Sequence, residues 1–248
     1  MDIISLIIAS ALLLIPIFIS YKEDLELGKE ILISVIRAIV QLIIIAYILD
    51  TVFGMKNSIF IIILVLVMIF NAALNTKNRG GEIKKIIPIS FIAMTIGTLI
   101  TMGVLILSGA IKFTANEVIP VAGMVVSNSM IAINISYRNL NTAFKNRRDE
   151  VEVKLSLGAD IKESSKDIIR ESIKIAIIPT IDSAKTLGIV SLPGMMTGLI
   201  LGGTPPMEAI KFQIMVTFMI LSSSSIAVLI AIYLSYKYFF NDRKQLIA

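Results

Sequence analysis

"VSLPGMMTGLILGG", Val190 to Gly203, lies inside a run of 22 residues, 186 to 207, that carries no charge. About 20 mostly apolar residues span the hydrocarbon core of a bilayer, so this stretch alone is long enough to set the chain in a membrane. Val190 to Gly203 nevertheless hold one proline and four glycines, residues that weaken a helix. Gly194, Gly198 and Gly202 fall four apart, on one face of any helix they form. Two overlapping GxxxG units of this kind let a second helix approach closely in lipid. Pro193 removes a backbone donor just before them, which predicts a kink or a fresh helix start. The stripe reads either as a static tight crossing or as a joint that transmits motion.

The remainder of the chain belongs to the same class. It is 56% hydrophobic and 17% charged over 248 residues, with a mean hydropathy of +0.88, values far from those of a soluble domain. Between charges, seven stretches meet the spanning length: 3 to 21, 31 to 49, 57 to 76, 86 to 111, 118 to 137, 186 to 207 and 212 to 236. The first follows Asp2 without a basic region or a small-residue cleavage site, so it reads as a retained span. The expectation is an all-α polytopic membrane protein with about seven transmembrane helices. Its parts are five spans over 1–137, a cytoplasmic helical segment over 138–185, and two further spans with a tail over 186–248.

Lys and Arg orient such a bundle. One set of connections holds nineteen of them and the other holds three, Lys56, Lys112 and Lys211. The expected orientation has the amino terminus outside and the carboxyl terminus in the cytoplasm of a plasma (cell inner) membrane. No cysteine or histidine is present, which removes thiolate sites and the commonest metal ligand and general base. No GxxxxGK[ST] loop is present either, so the chain holds no ATP in the P-loop manner. No paired carboxylates or activated nucleophile appear at membrane depth, which argues against an enzyme.

Only the segment Arg138 to Lys185 has room for structure outside the bilayer. It carries ten basic and eight acidic residues, some at helical spacing, such as Glu150 with Lys154. Within it, Gly158 can end one helix and Asp160 can cap the next. Leu155, Leu157 and Ile161 present an apolar face beside that turn, so a helical hairpin that docks a partner is weighed against a plain charged connector.

"EVKLSLGAD", Glu152 to Asp160, resembles the coupling motif of ATP-binding-cassette (ABC) permeases, with Glu152, Leu157, Gly158 and Ala159 at matching spacing and Leu155 on the same turn. A wider resemblance covers nearly the whole chain. "RAIVQLIII" (Arg37 to Ile45), "IPVAGMVVSNSM" (Ile119 to Met130) and "GIVSLPGMMTGLILGGTPPMEAIKFQIMVTFMI" (Gly188 to Ile220) are similar to the FetB/YbbM family of ABC permeases, of the iron-export type. That resemblance implies a permease subunit, not an enzyme, that pairs as a homodimer, docks cytoplasmic ABC ATPase subunits and exports iron or another metal ion. No cofactor is expected on this chain itself, since ATP and magnesium would sit on the ATPase, and no nucleic-acid partner is expected. An ATP-independent secondary transporter or channel, and a membrane scaffold for a cytoplasmic partner, are the rival readings.

Polar groups at membrane depth are costly and therefore informative. Arg37 and Gln41 share one face of the second span, Asn71 and Asn75 repeat that spacing in the third, and Asn128 and Asn134 lie in the fifth. Each is a candidate for the transport path, against snorkelling for Arg37 and interhelical hydrogen bonding for the asparagines. Asp182 is a candidate at the cytoplasmic mouth, against a local pair with Lys185. Asp50, Glu117 and Glu208, at the outer ends of spans, are candidate low-affinity metal contacts, against ordinary solvated loop charge. Met124, Met130, Met195 and Met196 offer thioethers, though methionine at apolar helical positions mostly packs.

Overall fold

The computed structural model describes residues 3–54, 58–81 and 83–247. Among these the chain is helical, apart from two isolated β-bridges. It divides into two compact units, Met1–Lys56 and Asn57–Ala248. In the first, α1 (Ile3–Ser10) and α2 (Leu14–Lys22) are joined by a 3₁₀ turn at Ala11–Leu13, and α3 (Gly28–Gly54) returns beside α2. The turn between them is tight, with Asp24 and Glu26 in the left-handed region and the hydroxyl of the buried Ser20 accepting the Leu27 N–H at 2.9 Å. No residue of Gly28–Ile48 is buried within the chain, as expected of an apolar helix whose surroundings are lipid or other protein.

The second unit contains α4 (Ser58–Asn75), α5 (Ile86–Leu107), α6 (Ala115–Asn146), α7 (Arg148–Ser156), α8 (Ile161–Ser164), α9 (Lys166–Thr186), α10 (Gly194–Leu201) and α11 (Pro206–Ser235). Its centre is α6, which packs against α4, α5, α9 and α11. Val126, Ala132, Ile133, Tyr137 and Leu140 of α6 join Ala227, Val228, Ala231 and Ile232 of α11 in one buried core. Small residues let α5 and α11 close up. A methyl group placed on Gly97 would lie 3.2 Å from the Ser223 carbonyl oxygen and 3.6 Å from Ala227 Cβ. Ser223 and Ser225 turn their hydroxyls back to Ile220 and Leu221 of their own helix, the usual way serine is accommodated in a span. A buried chain of hydroxyls, Thr76 to Ser90 at 2.9 Å and Ser90 to Tyr137 at 3.1 Å, ties the ends of α4, α5 and α6 together.

Among the described residues five helices are long and apolar enough to cross a membrane: Gly28–Ile48, Ser58–Asn75, Ile86–Leu107, Ala115–Asn146 and Pro206–Phe239; Ile8–Lys22 is shorter. Two of the seven expected spans depart from this: 3 to 21 is broken by the 3₁₀ turn and met only by the shorter Ile8–Lys22, and 186 to 207 is not a continuous helix. α9 ends at Thr186, Leu187 is extended, and Gly188 takes a left-handed φ of 84° while donating to Ser191. Pro193, extended at ψ 144°, then starts α10 as its N-cap. Eight residues at 1.5 Å each give α10 a length of about 12 Å, well short of the roughly 30 Å hydrocarbon core. Gly202 is its C-cap and Gly203 the left-handed residue beyond, with Gly203 donating to Ile200 and Thr204 to Leu199, which is a Schellman ending.

Candidate functional site

The hairpin of α7 and α8 forms as its local chemistry dictates. α7 ends in a second Schellman motif, with Gly158 donating to Leu155, Ala159 donating to Lys154, and Gly158 at φ 92°. Asp160 caps α8 by accepting the Glu163 N–H. The apolar face expected at this turn is split in two. Leu155 and Ile161 turn inward against the core, whereas Leu157, 83% exposed, and Val153, 58% exposed, point away from it. Glu152 is exposed and pairs with Arg148 at 2.8 Å, and Ala159 lines a groove that faces the tail residues Arg243 to Ile247.

Long-range ion pairs fasten this hairpin to α9. Lys154 Nζ lies 2.9 Å from Asp167 and 2.7 Å from Glu150. Arg147 contacts Glu150 at 2.7 Å and Glu171 at 3.1 Å. The Arg147 guanidinium and then the Lys154 ammonium pull the Glu150 carboxyl down to about 2, and Lys154 lowers Asp167 in the same sense. Exposed pairs contribute little to stability. What they do is join the start and the end of α7 to the first two turns of α9.

Further along, α9 forms one wall of a cavity. About 230 Å³ is enclosed between α6, α9 and α11, lined by Asn128, Ile131 and Ile135 of α6, Pro179, Thr180 and Ser183 of α9, Pro193, and Gln213 and Thr217 of α11. Pro179 has no N–H to return to the Ile175 carbonyl, so the ladder of α9 is interrupted where the helix borders this space. A second cavity of about 410 Å³ follows along α6 and shares Ile131 and Ile135 with the first. Asn134, Arg138, Asn139 and Thr142 of α6, with Arg79 and Ile175, complete it. From 128 to 142 the two cavities run along one face of α6 for about 21 Å. Asn139 donates to Ser172 of α9 at 3.0 Å. Asn134 Oδ1 and Gln213 Oε1 are buried with no donor among the described residues, a state that water or a passing ligand would relieve.

Of the path candidates read from the sequence, the structure brings Asn128 and Asn134 to these cavities. The others lie elsewhere. Asn71 and Asn75 are exposed on α4 and bond to each other, Asn75 Nδ2 donating to the Asn71 carbonyl at 2.9 Å. Asp182 is exposed and pairs with Lys185 at 2.9 Å, so the local ion pair is what forms, while its neighbours Thr180 and Ser183 line the cavity. Arg37 and Gln41 are exposed on α3 of the first unit. Glu117 accepts the Lys112 backbone N–H at 2.7 Å, a role in closing the loop before α6, and Glu208 is exposed in the first turn of α11. The side chain of Asp50 lies outside the described residues. No group of three or more Asp or Glu side chains suited to a metal ion occurs among the described residues.

The glycine stripe also resolves differently from its spacing. A methyl placed on Gly194 or Gly198 meets nothing within 4 Å, and on Gly202 only the carbonyls of its own turn. Among the described residues of the second unit, none packs on Gly194 or Gly198. The residues that sequence reasoning passed over are Gln213, Thr180, Thr217, Arg79, Arg138 and Asn139. Gln213, in "KFQIM", was the one with a visible signal, an amide at the start of an apolar span.

Comparison with known proteins follows this geometry. Residues 3–240 match the family described as "Uncharacterised protein family (UPF0014)". The "Probable iron export permease protein FetB" of Escherichia coli is 50% identical over 243 residues, covering 98% of this chain and 94% of that protein. "UPF0014 membrane protein YjkA" of Bacillus subtilis is 37% identical over 250 residues, covering 99% and 98%. "Protein ALUMINUM SENSITIVE 3" of Arabidopsis thaliana is 33% identical over 238 residues, covering 96% and 87%. No solved structure matches.

Proposed function

The chain belongs to the UPF0014 family, and from that premise we propose that it is the permease subunit of an ABC transporter. It couples ATP hydrolysis on a separate cytoplasmic ATPase to export of iron or another metal ion. The observation that carries the proposal is a continuous mechanical route. An exposed Leu157 on a glycine-broken hairpin is joined by Lys154–Asp167 and Arg147–Glu171 to α9, and α9 walls a cavity lined in part by Asn128, Gln213 and Thr217.

In this reading the ATPase, which carries ATP and magnesium, seats Leu157 and Val153 in a groove of its own. Its closure moves α7, the ion pairs carry the displacement to α9, and the cavity between α6, α9 and α11 changes access. The break at 187–193 allows α10 to move separately from α9. The hairpin and the basic connections face the cytoplasm, with the amino terminus outside, and two permease copies pair. The E. coli relative, half identical and named a probable iron export permease, supports both cargo class and direction.

The test is ATPase activity of the partner ATPase reconstituted with this chain in lipid, with and without ferrous iron. Gly158→Pro locks φ near −65° where 92° is required and so misplaces Leu157. Stimulation of hydrolysis is expected with the wild-type chain and should fall by about tenfold or more in the variant. Unchanged stimulation in Gly158→Pro would defeat the docking assignment.

A further inference from the structure

The second cavity, at the hairpin end of α6, carries a charge pattern that a bare metal cation would not choose. Arg79 and Arg138 both line it, together with Asn134, Asn139 and Thr142, and no Asp or Glu lines either cavity. A hard cation stripped of water needs about six oxygen ligands, carboxylates prominent among them. Here the residues at the entry present two guanidinium groups instead. Basic residues at the cytoplasmic end of a span are ordinary in themselves. These two differ from Arg147 and Arg148, which are committed to Glu150, Glu171 and Glu152, because neither Arg79 nor Arg138 forms an ion pair among the described residues.

Guanidinium is the side chain that best matches carboxylate and phosphate oxygens, through paired N–H donors. Deeper along α6 the lining changes to hydroxyls and amides. Asn134 Oδ1 and Gln213 Oε1 lack donors, so they can accept from hydroxyls or from metal-bound water. The sequence of surfaces is therefore basic at the mouth and neutral further in, where a few amides and hydroxyls interrupt an apolar lining. Resting on the permease reading, we infer that the cargo enters as an oxyanion-bearing species, a metal held in a carboxylate or phosphate complex or the oxyanion itself, and that Arg79 and Arg138 are its entry contacts.

The experiment uses the full chain in lipid nanodiscs and equilibrium binding of four probes: ferric citrate, citrate alone, inorganic phosphate, and ferrous iron alone. Saturable binding of ferric citrate, weakened about tenfold or more in Arg79→Gln/Arg138→Gln and less in Arg79→Lys/Arg138→Lys, is the expected result. If citrate or phosphate alone binds equally well, the oxyanion is the cargo; if they bind at least tenfold more weakly, the metal complex is. Both outcomes support the inference. Binding of ferrous iron alone that the glutamine variant leaves unchanged or tightens overturns it, as does the absence of saturable binding by all three oxyanion probes at millimolar concentration. The permease reading fails separately. If oxyanions bind through the arginines but no ATPase responds to the chain, the site stands and the coupling assignment falls.

Discussion

Two glycine-bearing helices in this chain occupy opposite situations. Gly97 of α5 has a neighbour but no GxxxG repeat: the Ser223 carbonyl and Ala227 lie where its side chain would be. Gly194 and Gly198 of α10 have the pattern but no neighbour among the described residues of their own unit. Spacing shows that a face is smooth. It does not show that anything rests on it.

Substitution at each should therefore differ sharply. Gly97→Leu forces a branched side chain into backbone, and overpacking of this kind costs about 1–3 kcal/mol or more. Thermal unfolding in detergent should show a clear loss, and a wild-type midpoint would mean that α5 and α11 do not cross so closely. Gly198→Leu should change the same midpoint little, within about 0.5 kcal/mol. If it unfolds the protein as Gly97→Leu does, the face is covered inside the protomer. If stability holds while transport and permease pairing are lost, a second copy rests on the stripe, in line with the proposed homodimer.

A smaller effect concerns the hairpin. Glu150 is held at about 2 against an ordinary 4.5 by Arg147 and Lys154. A carboxyl lowered on folding contributes stability that is complete above its unfolded value and is lost as pH falls through the folded one. The hold of α7 on its ion pairs should thus be constant from neutral pH down to about 4.5 and weaken between there and about 2. Hydrogen exchange of α7 amides across that range checks it, and loosening near pH 6 would contradict it.

Local chemistry was the legible part of this fold. Gly158 and Asp160 were readable because a left-handed cap and an N-cap each depend on residues within five positions. The spans at 57 to 76, 86 to 111 and 118 to 137 were readable because an uncharged run has few alternatives in a bilayer. The run at 186 to 207 misled for the same reason. Its hydropathy says nothing of where a helix stops, and Gly188 with Pro193 broke it while α9, read as a surface segment, packed into the bundle against α6 and α11. Asn128 and Asn134 reached the cavities because α6 presents one continuous face to them. Asn71, Asn75 and Asp182 had the same composition signal, yet their faces are turned elsewhere. Lys154–Asp167 and Arg147–Glu171 were invisible in sequence because thirteen and twenty-four positions separate the partners, and only the hairpin brings them together.

The central claim is that α9 transmits the movement of the docked hairpin to the cavity. Asp167→Asn with Glu171→Gln removes the two carboxylates by which α9 holds α7 and leaves Gly158, Leu157 and the cavity unaltered. In proteoliposomes containing the ATPase, metal export and ATP hydrolysis should be measured together. Hydrolysis should still be stimulated, because docking is intact, while export per ATP should fall by about fivefold or more, the lower range of a coupling energy between sites. Export per ATP equal to that of the unmodified chain would contradict the account.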